Sequence, residues 1–394
     1  MTKKPLGIYV HIPFCVKKCN YCDFLSAPAT KQVRKSYIEA LIRQIEEHRD
    51  FVTEGNYEVK TIYFGGGTPS LLEVEEIGAV FESLKKVFGL SDTELDTMEI
   101  TLEANPGTFG KDKLLAYCKM GFNRISMGVQ SMNNEELKLL GRVHTVEEFL
   151  ENYKLARECG FENINVDLMQ SLPGQTLEGW ENTLQQVIKL NPEHISAYSL
   201  IIEEGTKFYE WYADKEELLP DEETERAIYY RTEELLQEAG YERYEISNYA
   251  KPGKESRHNL SYWQGVDYLG LGLGASSLIN GERLVNEDEL LEYLSIAQLL
   301  EMKEDKTSCF VKERNLLTKQ EQMEEFMFMG LRVMKGVSKK EFLGRFGITM
   351  EDVYGKVFDR FRVEELLVMD EDMVALTRKG IDVSNYVFAE FLLD

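Results

Sequence analysis

The chain has 394 residues, 43% hydrophobic and 29% charged, with six cysteines and a formal net charge of −24 at pH 7. That length carries one large domain and a smaller one, with the composition of a globular protein; the charge opposes general attraction to nucleic acid or anionic lipid. No run approaches the roughly 18 apolar residues of a membrane span, and the basic start Met1-Thr2-Lys3-Lys4-Pro5 leads into no signal-peptide core. The cytoplasm is the expected location, with no direct membrane anchor and no nucleic-acid partner.

Short apolar runs then alternate with helical patterns. Segments 6–12, 61–64, 98–102, 124–129, 163–168 and 194–200 read as strands, and 33–49, 114–120, 146–159 and 180–190 as helices. Repeated strand–helix units imply a parallel sheet with right-handed crossovers, doubly wound or curled into a barrel. Cys15, Gly66, Glu103, Gln130, Asp167 and Tyr198 all fall at or near the C-terminal ends of these strands. That rim carries the chemistry in α/β barrels, whereas an open sheet gathers its site at one switch point. The expected fold is therefore α/β, a partial (β/α)6 TIM-like barrel.

Farther on, 221–239 is helical and 241–248 alternates like a strand. Ser256-Arg257-His258-Asn259-Leu260-Ser261-Tyr262-Trp263 follows, then a Gly-rich stretch at 268–275. From about residue 306 the character changes: helical patterns at 320–334, 339–346 and 347–361 precede a hairpin-like 367–375. Helices followed by a hairpin predict a small, helical, winged-helix-like domain, whose acidity suits packing or interaction and not DNA. The expected division is a barrel core at 1–220, an extension at 221–300 and the C-terminal domain at 301–394.

Cys15, Cys19 and Cys22 are spaced CxxxCxxC just after the first strand, while Cys118, Cys159 and Cys309 are scattered. The pattern fits reduced thiols and a metal site, not a disulfide framework. Clustered thiolates bind zinc or an iron–sulfur cluster. Zinc would need a fourth ligand, for which His11 and Asp23 are nearby candidates. A [4Fe–4S] cluster would use the three cysteines and leave one iron open. Gly65-Gly66-Gly67-Thr68-Pro69, one strand along, lets a small ligand approach the backbone without Cβ obstruction.

Together, CxxxCxxC after the first strand and GGGTP after the second resemble the radical S-adenosylmethionine superfamily. The resemblance implies a [4Fe–4S] cluster on Cys15, Cys19 and Cys22, its open iron chelated by the amino and carboxylate groups of S-adenosylmethionine. The cofactors supply the radical chemistry, and the protein positions them. Tyr9-Val10-His11-Ile12-Pro13-Phe14-Cys15, Glu103-Ala104-Asn105-Pro106, Gly128-Val129-Gln130-Ser131, Leu140-Gly141-Arg142-Val143-His144 and Asp167-Leu168-Met169 resemble, in order, the oxygen-independent coproporphyrinogen III oxidase family. This likeness runs from about Ile8 to the C-terminus. It implies Tyr9, Gly66, Gly67, Thr68, Glu103, Gln130, Arg142 and Asp167 around S-adenosylmethionine.

Two features depart from the oxidase. Phe24 stands where the oxidase has a further cysteine two positions after the third, and only eight residues precede Tyr9 where the oxidase carries a longer segment. Both match the family's haem-chaperone branch. His258-Asn259-Leu260-Ser261-Tyr262-Trp263 resembles the HNxxYW signature associated with haem binding in that branch. It implies His258 as a haem ligand, with Tyr262 and Trp263 packing on the macrocycle; the CxxCH of covalent attachment is absent. The implied function is a haem chaperone that carries haem to acceptor proteins, respiratory ones among the candidates, with the oxidase as the alternative. An exposed cluster loop also suits a homodimer. Ser171 stands where relatives have Gly before Leu-Pro, a change that matters only if the position needs positive φ.

Overall fold

The computed structural model describes residues 3–300 and 309–393. Six parallel strands, β1 (Lys4–Ile12), β2 (Tyr57–Gly66), β3 (Glu99–Ala104), β4 (Arg124–Gln130), β5 (Ile164–Gln170) and β6 (His194–Ser199), lie side by side in chain order. Helices Lys31–Glu47, Val74–Phe88, Lys111–Met120, Val146–Glu158 and Leu177–Leu190 form the crossovers. Thr30, Thr145 and Thr176 cap three of them through side-chain oxygens.

Alternation along the strands decides what faces where. Leu6, Ile8, Val10 and Ile12, like Ile100 and Leu102 on β3, are fully buried in the layer under the helices. The intervening residues are polar: His11, Thr61, Thr101, Glu103, Ser126, Asn165, Asp167 and Ser196. A TIM barrel fills its interior with branched apolar side chains. This arc instead has a polar interior, a lumen built to meet a ligand or its own hydrogen-bond network.

The sheet continues past both ends of the parallel set, giving twelve strands. β7 (Glu242–Arg243) and β8 (Asn248–Ala250) extend it antiparallel beyond β6, so the alternating stretch at 241–248 is two short strands and a turn. On the other flank, β9 (Tyr268–Leu271) runs parallel to β1, followed by β10 (Ser276–Ile279), β11 (Glu282–Asn286) and β12 (Val311–Leu316). The Gly-rich stretch thus supplies a strand. A Cβ on Gly270 would lie 2.1 Å from the Ser276 carbonyl oxygen, so only glycine lets the chain fold back there. Helix Arg257–Trp263 plugs the N-terminal end of the lumen, with the Glu99 carboxylate accepting from the backbone N–H of Arg257 at 2.9 Å and His258 at 3.0 Å.

The C-terminal domain packs helices Lys319–Gly330, Lys339–Phe346 and Met350–Val363 against a small sheet of β13 (Val337–Ser338), β14 (Leu367–Met369) and β15 (Met373–Leu376). Phe342, Tyr354, Phe358, Phe361 and Phe391 form its own core. The expected helix at 320–334 stops at Gly330, beyond which Met334 N–H donates to the Tyr244 carbonyl at 2.9 Å. The Arg332 guanidinium lies 4.5 Å from the Trp263 ring centroid, and Arg283 pairs with Glu325 at 2.7 Å. These contacts join the domain to the turn between β7 and β8, to helix Arg257–Trp263 and to β11. Among the described residues no helix is long and apolar enough to cross a membrane.

Candidate functional site

The cysteine loop leaves β1 and returns to it. Cys15 N–H donates to the Ala27 carbonyl at 3.2 Å and Ala27 N–H to the Pro13 carbonyl at 3.0 Å, closing the loop at its neck. Asn20 fixes the far end: its N–H donates to the Leu140 carbonyl and its Nδ2 to the Leu139 carbonyl, each at 2.9 Å. This contact ties Leu139-Leu140-Gly141 to the cysteine loop. A Cβ on Gly141 (φ 75°) would meet the Asn20 side chain at 2.9 Å.

All three cysteines border one cavity of about 380 Å³ at the C-terminal ends of the strands, together with Gly66, Gly67, Thr68, Glu103, Gln130, Arg142 and Asp167. The GGGTP turn is pinned to the loop: Gly67 N–H donates to the Ile12 carbonyl at 2.9 Å and Thr68 N–H to the Phe14 carbonyl at 2.8 Å. A Cβ on Gly67 would lie 2.8 Å from both the N and O of Phe14, so the two backbones touch here because the residue is glycine. Thr68 Oγ1 donates to Cys15 Sγ at 3.4 Å and accepts from Asn105 Nδ2 at 2.7 Å. Arg142 spans the site, with Nη1 donating to Cys19 Sγ at 3.5 Å and Nη2 to Asn105 Oδ1 at 2.6 Å and the Gly128 carbonyl.

Deeper in the lumen, Glu103 accepts from Tyr63 Oη at 2.8 Å and Gly66 N–H at 3.0 Å. Burial pushes its carboxyl up to about 7. Burial also raises Asp167, which accepts from Asn165 Nδ2 at 2.7 Å and Ser126 Oγ at 3.2 Å. Arg124, only 1% exposed, is the cation that opposes these rises. Gln130 sits at φ 74° beside a bulge in the β4–β5 pairing and accepts from Tyr198 Oη at 2.8 Å. A strained backbone that re-aims a side chain into a cavity is a hallmark of ligand sites.

Seven of the eight residues expected around S-adenosylmethionine line this cavity, and Tyr9 does not. Tyr9 Oη bonds His11 Nδ1 at 3.0 Å, and its ring borders a second cavity. His11 Nε2 is engaged by the Leu25 carbonyl at 2.9 Å, so neither ring nitrogen is free for a zinc ion. His258 is likewise apart from the cysteines. Its Nδ1 is 2.8 Å from Thr61 Oγ1, its Nε2 2.8 Å from Tyr262 Oη, and it is 1% exposed. Asn105 and Ser126 were not singled out from the sequence. Asn105 lay inside the Glu103-Ala104-Asn105-Pro106 motif, and Ser126 shares the strand face of Gly128 by two-residue alternation.

The donor set suits a cluster. Among the described residues no three His, Cys, Asp or Glu are gathered as ligands of a single ion; in an iron–sulfur cubane each thiolate takes its own iron, around a common void. Burial holds the Cys22 thiol above its ordinary value, so loading metal there expels a proton.

This fold and this site define a radical S-adenosylmethionine protein. The Radical SAM superfamily model matches residues 9–187 and the HemN C-terminal domain model residues 317–383. The chain is 36% identical to a protein named heme chaperone HemW from Lactococcus lactis, covering 100% of this chain and 99% of that one. It is also 36% identical to the HemW of Bacillus subtilis, with 98% of each chain covered. The solved structure of coproporphyrinogen III oxidase (HemN) from Escherichia coli superposes with a TM-score of 0.83 at 26% identity, covering 100% of this chain and 91% of that one. The chain belongs to the HemW family.

Proposed function

We propose that the protein is a haem chaperone: it binds a [4Fe–4S] cluster, S-adenosylmethionine and haem, and delivers haem to acceptor proteins in the cytoplasm. The observation that carries this over porphyrinogen decarboxylation is Phe24. It is 64% exposed on the wall of the cluster cavity, at the place where the oxidase has a further thiol. Full-length likeness to two proteins named heme chaperone supports the same reading.

Each residue has a definite task. Cys15, Cys19 and Cys22 hold the cluster. Gly66, Gly67 and Thr68 offer backbone and hydroxyl groups to the cofactor's amino acid end. Glu103 offers an anion for its ammonium, and Gln130, Arg142 and Asp167 offer hydrogen bonds around it. When bound, the cluster and S-adenosylmethionine supply one-electron chemistry. Arg142 also ties the Cys19 side of the loop to β4, which keeps the cavity shaped before any cofactor arrives.

Anaerobic reconstitution, haem titration and product analysis test the reading together. The expected result is a Soret shift on haem addition and no protoporphyrin from coproporphyrinogen III, S-adenosylmethionine and reductant. Protoporphyrin formed in steady turnover would make it an oxidase.

A further inference from the structure

Two side chains donate to sulfurs of the cysteine loop, and a single amide holds them both. Thr68 Oγ1 donates to Cys15 Sγ at 3.4 Å, and Arg142 Nη1 donates to Cys19 Sγ at 3.5 Å. Asn105, one residue past the end of β3, touches each donor. Its Oδ1 accepts from Arg142 Nη2 at 2.6 Å, and its Nδ2 donates to Thr68 Oγ1 at 2.7 Å. Two of the three cysteines therefore belong to one hydrogen-bonded chain, and Asn105 is its middle link.

The direction of each bond in that chain is forced. A guanidinium only donates, so the amide turns its oxygen to Arg142. The amide nitrogen then faces Thr68 and takes up a lone pair of the hydroxyl, which leaves the hydroxyl proton for Cys15. An aspartate at this position would keep the bond to Arg142 but present an acceptor to Thr68. The hydroxyl proton would then turn away from the sulfur.

The surroundings hold the amide in place. Asn105 N–H donates to Ser70 Oγ at 3.2 Å. Its carbonyl accepts from Thr108 N–H at 3.2 Å and from Thr108 Oγ1 at 2.7 Å. Lys113 Nζ pins the turn that carries Ser70, donating to the Ser70 carbonyl at 2.9 Å and the Leu72 carbonyl at 2.8 Å. On β4, a Cβ at Gly128 would lie 2.7 Å from Asn105 Oδ1 and 3.3 Å from Arg142 Nη2, so glycine there makes room for the pair.

Hydrogen bonds to a ligating sulfur draw electron density from the metal and favour its reduced form, which is how surrounding groups set cluster potentials. We propose that Asn105 is a positioning residue for the cluster: through one amide it aims the donors on Cys15 and Cys19, and so raises the reduction potential of the [4Fe–4S] centre. This rests on the reading of Cys15, Cys19 and Cys22 as cluster ligands.

The test is a redox titration of the anaerobically reconstituted full chain, followed by electron paramagnetic resonance without S-adenosylmethionine, with iron and sulfide counted in each sample. Asn105→Leu, close to asparagine in shape, is expected to keep its iron and sulfide while its reduction equilibrium falls at least tenfold, about 59 mV for one electron. Combined with Thr68→Val, its effect should be less than additive, because the two residues act on the same sulfur. An unchanged potential in Asn105→Leu, or full additivity with Thr68→Val, would overturn the role of Asn105. If Asn105→Leu retains no cluster, Asn105→Asp decides, with Thr68→Val as the background that isolates its added charge. The aspartate should lower the potential more when the Thr68 hydroxyl is present than when it is absent. Equal shifts in the two backgrounds would mean charge alone and overturn the relay. Absence of iron and sulfide from the unaltered chain would instead defeat the cluster reading, and this proposal with it.

Discussion

The two cavities are opposites in construction. The first is made of strand ends, with sulfur, backbone amides and buried carboxylates converging on about 380 Å³. The second, about 710 Å³, is made of aromatic faces and cations from two domains. Between them stands a layer in which the Tyr63 ring lies 5.0 Å from His258 and 6.2 Å from Tyr9, with Tyr63 Oη donating to Glu103. The cavity bordered by the three cysteines is thereby partitioned from the one bordered by aromatic side chains. An oxidase needs its porphyrin at the cofactor, whereas a carrier does not.

Removing the cluster ligands should separate the two most sharply. Cys15→Ala, Cys19→Ala or Cys22→Ala is expected to abolish iron and sulfide retention after anaerobic reconstitution, with the chain's haem affinity kept within a few-fold. A parallel loss of both would mean one site, not two. Gly67→Ala strikes the same loop through packing alone. Its Cβ falls 2.8 Å from Phe14 N and O, and overpacking of this kind costs about 1–3 kcal/mol. Thermal melts should show the loss, accompanied by lower cluster occupancy.

The Glu103 carboxylate lining the first cavity gives a pH signature. Glu103 is raised from 4.5 to about 7 by burial, so the folded apo protein holds this proton more tightly than the unfolded chain. Its contribution to stability is full below the unfolded value and is lost as pH rises through about 7. A cationic ligand needs the anion, so S-adenosylmethionine affinity should rise between pH 6 and 8. Isothermal titration across that range checks this, and Glu103→Gln should flatten the profile. The smallest effect is expected far from either cavity's chemistry: Ser171 sits at φ 60°, and Ser171→Gly should stabilise by about 1 kcal/mol in denaturant melts.

Much of the first cavity was legible because its residues sit in short motifs at the ends of regularly spaced strands. Local pattern and function coincide there. Tyr9 was read into the cofactor shell from its motif, but its position on β1 turns the ring toward the other cavity. The β9 strand was hidden because glycines at 270 and 272 carry no side-chain period, only room for Ser276 and, at Gly272, for the Tyr37 hydroxyl. The exchange at Ser171 was expected to matter only at a position of positive φ, which a side chain does not reveal, and the backbone there is at φ 60°. Of the second cavity, Tyr262 and Trp263 were singled out through the HNxxYW signature; the cavity itself was not. It joins residue 9 to 262–283, 317–345 and 373 through packing between domains, which no local pattern encodes.

Simultaneous loading of one preparation tests the central claim most directly. Protein reconstituted anaerobically and then saturated with haem should carry a full [4Fe–4S] complement and one haem per chain, with the cluster spectrum unaltered by the haem. Mutually exclusive occupancy, haem displacing the cluster or S-adenosylmethionine displacing haem, would contradict it.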